Sequence, residues 1–203
     1  LPDFANYKFE KYGLDVSRET RDKFNRYAEL LLKWQNTINL VSEDSLEELA
    51  ERHFLDSAQV IKYIPHKQIK LADMGSGAGF PGLILAMLGV ADVHLIESDV
   101  RKATFLREVS RETNTKVTVH DDRVEDITIE GLDLITARAL APLKDLLTMT
   151  KKLGANNCLF LKGEKTKEEV EKAQKRFKFD LEIHQSVTDK TGKILNINNL
   201  TDK

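Results

Sequence analysis

The 203-residue sequence contains one cysteine, Cys158. That excludes an intrachain disulfide and a thiolate zinc cluster, and it fits a reducing compartment. A charge excess of one sign is also missing. Thirty-one Lys and Arg face 33 Asp and Glu, for a formal net charge of −2. A uniformly basic nucleic-acid coat is therefore excluded, whereas a local basic face is not, because summed charge carries no placement. No apolar run approaches the ~18 residues a membrane span needs, so no membrane partner is expected. Leu1-Pro2-Asp3-Phe4 offers no basic stretch followed by an apolar one, so no signal peptide is expected and a cytoplasmic location is. His53, His66, His94, His120 and His184 lack ligand-pair spacing, so no metal is expected. What is present is 41% hydrophobic residues, enough for a sizeable core in one domain-sized unit.

The first third reads as helical, and residues 1–65 form an expected N-terminal helical extension. A short helix is predicted over residues 3–13, stopped at Gly13. Ser17 offers an N-cap for a longer helix to about Asn36. Along it Phe24, Tyr27, Leu31, Trp34 and Ile38 recur at steps of three and four, which places them on one face. Trp34 then reads as core packing, with RNA stacking as the alternative. Ser45 and Glu48 have capping-box spacing, and a further helix is predicted over residues 52–63.

From residue 66 to 203 strands and helices alternate. Strands are predicted at 69–74, 93–97, 116–120, 132–136, 158–161, 179–186 and 193–197. Asp99 caps the helix after the second strand, and Asn114 is its left-handed stop. Thr166 and Glu169 have capping-box spacing for a charged helix to about Phe177. The alternation predicts an α/β fold with a mostly parallel seven-stranded sheet covered on both faces. The short join between the last two strands predicts a terminal antiparallel hairpin.

The most informative segment is Asp73-Met74-Gly75-Ser76-Gly77-Ala78-Gly79-Phe80-Pro81-Gly82. It follows a strand and opens a helix, so its glycines let backbone approach a ligand at the carboxyl ends of the strands. A dinucleotide turn would read G-x-G-x-x-G; here the third glycine comes one residue early and Phe80 stands in its place. No P-loop Lys-Ser/Thr pair follows. The spacing resembles motif I of S-adenosylmethionine-dependent methyltransferases, with Asp73 in the matching place. A turn serving only tight packing is the alternative. Glu97, at the end of the second strand, suits both ribose hydroxyls of a nucleoside, or else a helix cap in competition with Asp99. Val124 and Glu125, in the loop after the third strand, suit an adenine edge and face, or else a solvated acidic loop.

Thr136-Ala137-Arg138-Ala139 resembles the S/TARA signature of the GidB family, also called RsmG, the bacterial 16S ribosomal RNA guanine-N7 methyltransferases. Other segments resemble that family in order: Lys33-Trp34-Gln35-Asn36 with Asn39-Leu40, Arg52-His53-Phe54-Leu55-Asp56-Ser57, Asp73 to Gly82, Arg123-Val124-Glu125 and Leu161-Lys162-Gly163. Gln35 shifts the first of these slightly, and the resemblance fades from Asn196 onward. It implies a class I methyltransferase (Rossmann-like) sheet behind the helical extension, with S-adenosylmethionine as donor. The implied substrate is a guanosine in the 530 loop of 16S ribosomal RNA, in the small ribosomal subunit or its assembly intermediate, and the expected state is a monomer. Gly75, Gly77, Gly79, Phe80, Glu97, Val124, Glu125 and Arg138 are the expected cofactor contacts.

Guanine N7 carries an in-plane lone pair and no proton, so its methylation needs no general base and no catalytic residue is assigned. Arg138 suits the methionine carboxylate or an RNA phosphate; a scaffold salt bridge, for example to Asp73, is the alternative. Arg52, His53, Lys144, Lys162, Lys165 and Lys167 are candidate RNA cations. His53 and Asp56 share a helical face and meet either the pocket or one another. Three other functions stay open: the same cofactor with another RNA or a small molecule, a non-catalytic assembly factor, and a nicotinamide dehydrogenase.

Overall fold

Apolar strands alternate with amphipathic helices from Lys70 onward, and the computed structural model, which describes all 203 residues, pairs them into one seven-stranded sheet. In chain order the regular elements are α1 (Arg18–Gln35), α2 (Asp56–Ala58), β1 (Lys70–Met74), α3 (Gly82–Met87), β2 (Asp92–Ile96), α4 (Val100–Glu112), β3 (Thr118–His120), β4 (Leu134–Arg138), α5 (Leu143–Lys152), β5 (Cys158–Lys162), α6 (Thr166–Ala173), β6 (Phe177–Gln185) and β7 (Lys193–Asp202). The strand order is β3-β2-β1-β4-β5-β7-β6. β1 through β5 run parallel; β7 is antiparallel to both β5 and β6. The order reverses between β1 and β4, which opens a crevice at their carboxyl ends.

The central strands are buried on both faces, so they read as nearly continuous apolar runs. One face carries α1, α3 and α4, and the N-terminal extension shares a single 37-residue apolar cluster with it. The other face packs α5 and α6 in a 20-residue cluster. Within the extension the Phe4, Phe9, Phe24 and Phe54 rings cluster, mostly edge to face or tilted, with paired centroids 4.5–6.2 Å apart. Trp34 packs edge-on against Phe105 at 5.7 Å, the core role expected of it. No helix is long and apolar enough to cross a membrane.

Local signals hold where local bonds decide. Ser17 accepts the Thr20 amide at 3.2 Å and opens α1, Asp99 caps α4, and Gly13 and Asn114 take left-handed φ of 69° and 47°. Several boundaries differ. Residues 3–13 hold only a 3₁₀ turn, Phe9–Tyr12, because the buried Arg21 fork collects carbonyls there that a helix would need. The Ser45/Glu48 capping box does not form; the Ser45 hydroxyl donates to the Ser42 carbonyl at 2.7 Å within a 3₁₀ turn. The helix expected at 52–63 begins as a π turn, Ala50–Leu55, and ends as a 3₁₀ turn, Gln59–Tyr63. The Thr166/Glu169 box is also absent, because Glu169 is drawn away to Lys162. The third strand is shorter than expected and β7 is longer.

Candidate active site

At the β1–β4 crevice the glycine turn bends in the left-handed region. Gly75, Gly77 and Gly79 have φ of 62°, 56° and 99°, which only glycine adopts without strain. Gly75 and Gly77 line a cavity of about 400 Å³ with Ile96, Glu97, Ser98, Lys102, Val124, Glu125, Ala139, Leu140 and Met149 on its walls. Glu97 is buried, and its carboxylate accepts the Gly77 amide at 2.7 Å and the Asp99 amide at 2.8 Å. Each oxygen keeps a second lone pair for a ligand hydroxyl. Asp99 does the helix capping, so the two acids divide the roles that the sequence left in competition.

Five of the eight expected contacts therefore meet in one cavity: Gly75, Gly77, Glu97, Val124 and Glu125. The other three lie elsewhere. A Cβ on Gly79 would stand 2.5 Å from both the Tyr27 hydroxyl and Leu83 Cδ1. Gly79 thus lets α1 approach the turn, and the Tyr27 hydroxyl donates to the Ala78 carbonyl. The Phe80 ring is buried, stacked on Tyr27 at 5.2 Å and beside Phe54 and His53. Arg138 lies over that ring at 5.1 Å and faces a second cavity.

The second cavity, about 740 Å³, meets the first at Ala139. Its walls come from Arg52, His53, Asp56 and Arg138, from Lys162 and Gly163 at the end of β5, and from the turn between β6 and β7. Arg138 donates to the Arg52 carbonyl at 3.1 Å and to His53 Nδ1 at 2.9 Å, and pairs with Asp56 at 3.5 Å. Its salt-bridge partner is thus Asp56 rather than Asp73. His53 Nε2 meets the Ser45 hydroxyl at 2.8 Å. With Nδ1 accepting from Arg138, Nε2 carries the proton and donates. Burial, with the charges of Arg138 and Arg52, pushes the imidazole down to about 3. Asp56 also accepts from Gln59 and from the Thr188 hydroxyl, at 2.9 and 2.8 Å, which ties the helical segment to the hairpin turn.

Beneath the turn, buried Asp73 accepts the Thr136 hydroxyl at 2.8 Å and the Gly82 amide at 3.3 Å. Burial pushes its carboxyl up to about 6. Of the candidate RNA cations, Arg52, His53 and Lys162 line the larger cavity. Lys144 and Lys165 lie between α5 and α6, and Lys167 lines neither cavity. Lys162 is paired inside the protein with Glu169 at 2.7 Å. Lys102 and Met149 escaped sequence reading; neither belongs to a motif, and only the closed fold brings them, with Leu140 just beyond the signature at residues 136–139, to the glycines.

Sheet order and a glycine-turn cavity at the switch point define a class I S-adenosylmethionine-dependent methyltransferase fold. A solved structure described as a SAM dependent methyltransferase from Aquifex aeolicus matches it with a TM-score of 0.59 at 14% identity, over 78% of this chain and 99% of that one. The family model described as rRNA small subunit methyltransferase G matches residues 20–198, and the chain belongs to that family of methyltransferases. It is 47% identical, over 184 residues and 90% of each chain, to the protein of Paramagnetospirillum magneticum named ribosomal RNA small subunit methyltransferase G. The protein of that name from Rhodospirillum centenum is 43% identical over 204 residues, covering 100% of this chain and 94% of the relative.

Proposed function

We propose that the chain transfers the methyl group of S-adenosylmethionine to N7 of a guanosine in the 530 loop of 16S ribosomal RNA. It acts as a cytoplasmic monomer on the small ribosomal subunit or its assembly intermediate. The observation that carries this reading is the pair of cavities joined at Ala139, one walled by Gly75, Gly77 and Glu97 and the other by a polar, partly basic rim.

The residues of the smaller cavity fit a nucleoside donor. Gly75 and Gly77 offer backbone without side chains, Glu97 takes ribose hydroxyls, and Val124 and Glu125 border the adenine. Arg138, the residue before Ala139, offers its guanidinium to the donor's carboxylate from the larger cavity, where it also pairs with Asp56 and donates to His53 and the Arg52 carbonyl, while Gly79 sets the depth of the turn. When bound, S-adenosylmethionine supplies a methyl group on a positively charged sulfur. N7 presents a lone pair and no proton, so the protein has no proton to remove. The chain's work is to align the two partners and to exclude water. His53 fits this account: both its nitrogens are engaged, and its environment keeps it neutral.

The test is transfer of labelled methyl to small subunits that lack the modification, followed by nucleoside analysis. Label in N7-methylguanosine from the 530 loop is the expected result. Label on another atom, on a different RNA or on a small molecule refutes the substrate assignment. Failure of the wild type to bind S-adenosylhomocysteine refutes the donor.

A further inference from the structure

The loop between β4 and α5 stands between the two cavities, and its conformation is unusual at one residue. Ala139, which lines both cavities, has φ of 51°, a left-handed value that an L side chain adopts only at a cost. This backbone turn delivers Leu140 over the glycine turn. A Cβ on Gly75 would stand 2.5 Å from Leu140 Cδ1, so the leucine lies directly on that glycine. Leu140 is 39% exposed, so part of its side chain remains open for contact.

The rest of the loop is pinned from behind by a partly buried ion pair. Lys162 Nζ meets Glu169 Oε2 at 2.7 Å, with side-chain exposures of 11% and 18%. The same ammonium donates to the Ala141 carbonyl at 3.0 Å, and the same carboxylate oxygen accepts the Leu143 amide at 2.7 Å. The pair therefore grips the loop on both sides of Pro142. A cation committed in this way is poorly placed to serve an RNA phosphate.

We infer that Ala139 and Leu140 form a fixed partition between donor and acceptor, in which Leu140 is the apolar surface that packs against the bound donor. Lys162 and Glu169 are positioning residues that hold Leu140 there. The inference rests on the donor site proposed above. Shortening Leu140 removes the surface; releasing Lys162 lets the strained Ala139 relax and carries Leu140 off the glycine.

The experiment is calorimetric titration of S-adenosylhomocysteine into the wild type, Leu140→Ala, Lys162→Met and Lys162→Arg, without RNA present. Wild-type binding tests the donor site alone, so its failure is separate from failure of the partition. Leu140→Ala and Lys162→Met are expected to bind about tenfold more weakly, the size of one charge-assisted hydrogen bond or one leucine surface. Lys162→Arg keeps the cation and the donors and is expected to restore most of the affinity. The salt dependence of the KM for RNA is expected to keep its wild-type slope in Lys162→Met, which the loss of a phosphate-binding lysine would reduce. Wild-type affinity in Leu140→Ala overturns the inference whatever Lys162→Met does. A loss of affinity in Lys162→Met confined to RNA overturns the positioning role. Leu140 is partly exposed and truncating it leaves the core whole, so this variant gives a reading even if Lys162→Met does not fold.

Discussion

Replacing Gly82 with alanine tests whether the first helix of the sheet domain is seated by contact rather than by propensity. An alanine Cβ there would stand 2.4 Å from Leu95 Cδ2, 2.8 Å from Asp73 Cβ and 2.9 Å from Asp73 Oδ2. Ordinary carbon contacts lie near 3.5–4.0 Å. Leu95 has a side chain that can turn, but Asp73 Cβ is fixed to the backbone of β1, so α3 must retreat by about 1 Å to reach that separation. Overpacking of this kind costs about 1–3 kcal/mol. The retreat also stretches the 3.3 Å bond from the Gly82 amide to Asp73, leaving a buried carboxylate with one donor fewer. That adds about 1–3 kcal/mol, while alanine's better helix propensity returns at most about 1. The expected net loss is about 2–4 kcal/mol, or about 1 M in urea midpoint at a slope of about 2–3 kcal/mol per M. Two other glycines separate the causes. Gly163 has no left-handed φ and nothing within 4 Å of its Cβ, so Gly163→Ala should move stability by less than about 0.5 kcal/mol. Gly131 also has open space but a φ of 70°, so Gly131→Ala should show backbone strain alone, about 1–2 kcal/mol. If Gly82→Ala unfolds at the wild-type midpoint, or no earlier than Gly163→Ala, the contact argument is wrong.

The two perturbed groups beneath the site give pH tests of opposite sign. His53 is held neutral with its folded value near 3, so its share of stability is complete above about 6.5 and is lost as pH falls. By pH 4.5 that loss is about 3 kcal/mol, so urea midpoints of His53→Gln should fall less steeply than those of the wild type between pH 7 and 4.5; parallel curves count against a neutral, buried imidazole. Asp73 has a folded value near 6, so its share is complete below about 3.8 and is lost as pH rises through 6. Asp73→Asn should gain on the wild type by about 3 kcal/mol between pH 3.5 and 7, on top of a pH-independent cost for exchanging an acceptor for a donor. A pH-independent difference between the two proteins would falsify that shift. Glu97→Gln places an amide NH₂ against the Gly77 or Asp99 amide and is expected to lose about 1–3 kcal/mol of stability and at least about tenfold in S-adenosylhomocysteine affinity, read by calorimetry. Unchanged affinity would remove Glu97 from the donor site.

The parts of the fold legible in the sequence are those decided within one strand–turn–helix unit. The glycine turn, the Ser17 and Asp99 caps and the final hairpin each depend on neighbours a few residues away. What escaped depends on partners that only the closed fold supplies. Phe80 is an expected cofactor contact through the family resemblance, and what the sequence does not show is that its ring packs against Tyr27 and Phe54 from the extension. His53 and Asp56 are expected to meet either the pocket or one another, and both line the larger cavity; what the sequence does not show is that Asp56 is held by Thr188, 132 residues onward, and that Arg138 joins the two. Thr166 and Glu169 show why spacing alone fails. Three residues apart before a helix, they read as a capping box, and in an exposed helix the acid would turn back to satisfy a backbone amide. Here an ammonium on the end of β5 has only 11% side-chain exposure, and a largely desolvated charge left unpaired costs more than an uncapped, solvated amide does. Glu169 goes to the larger debt, and the capping pattern is left in the sequence without the bond it predicts.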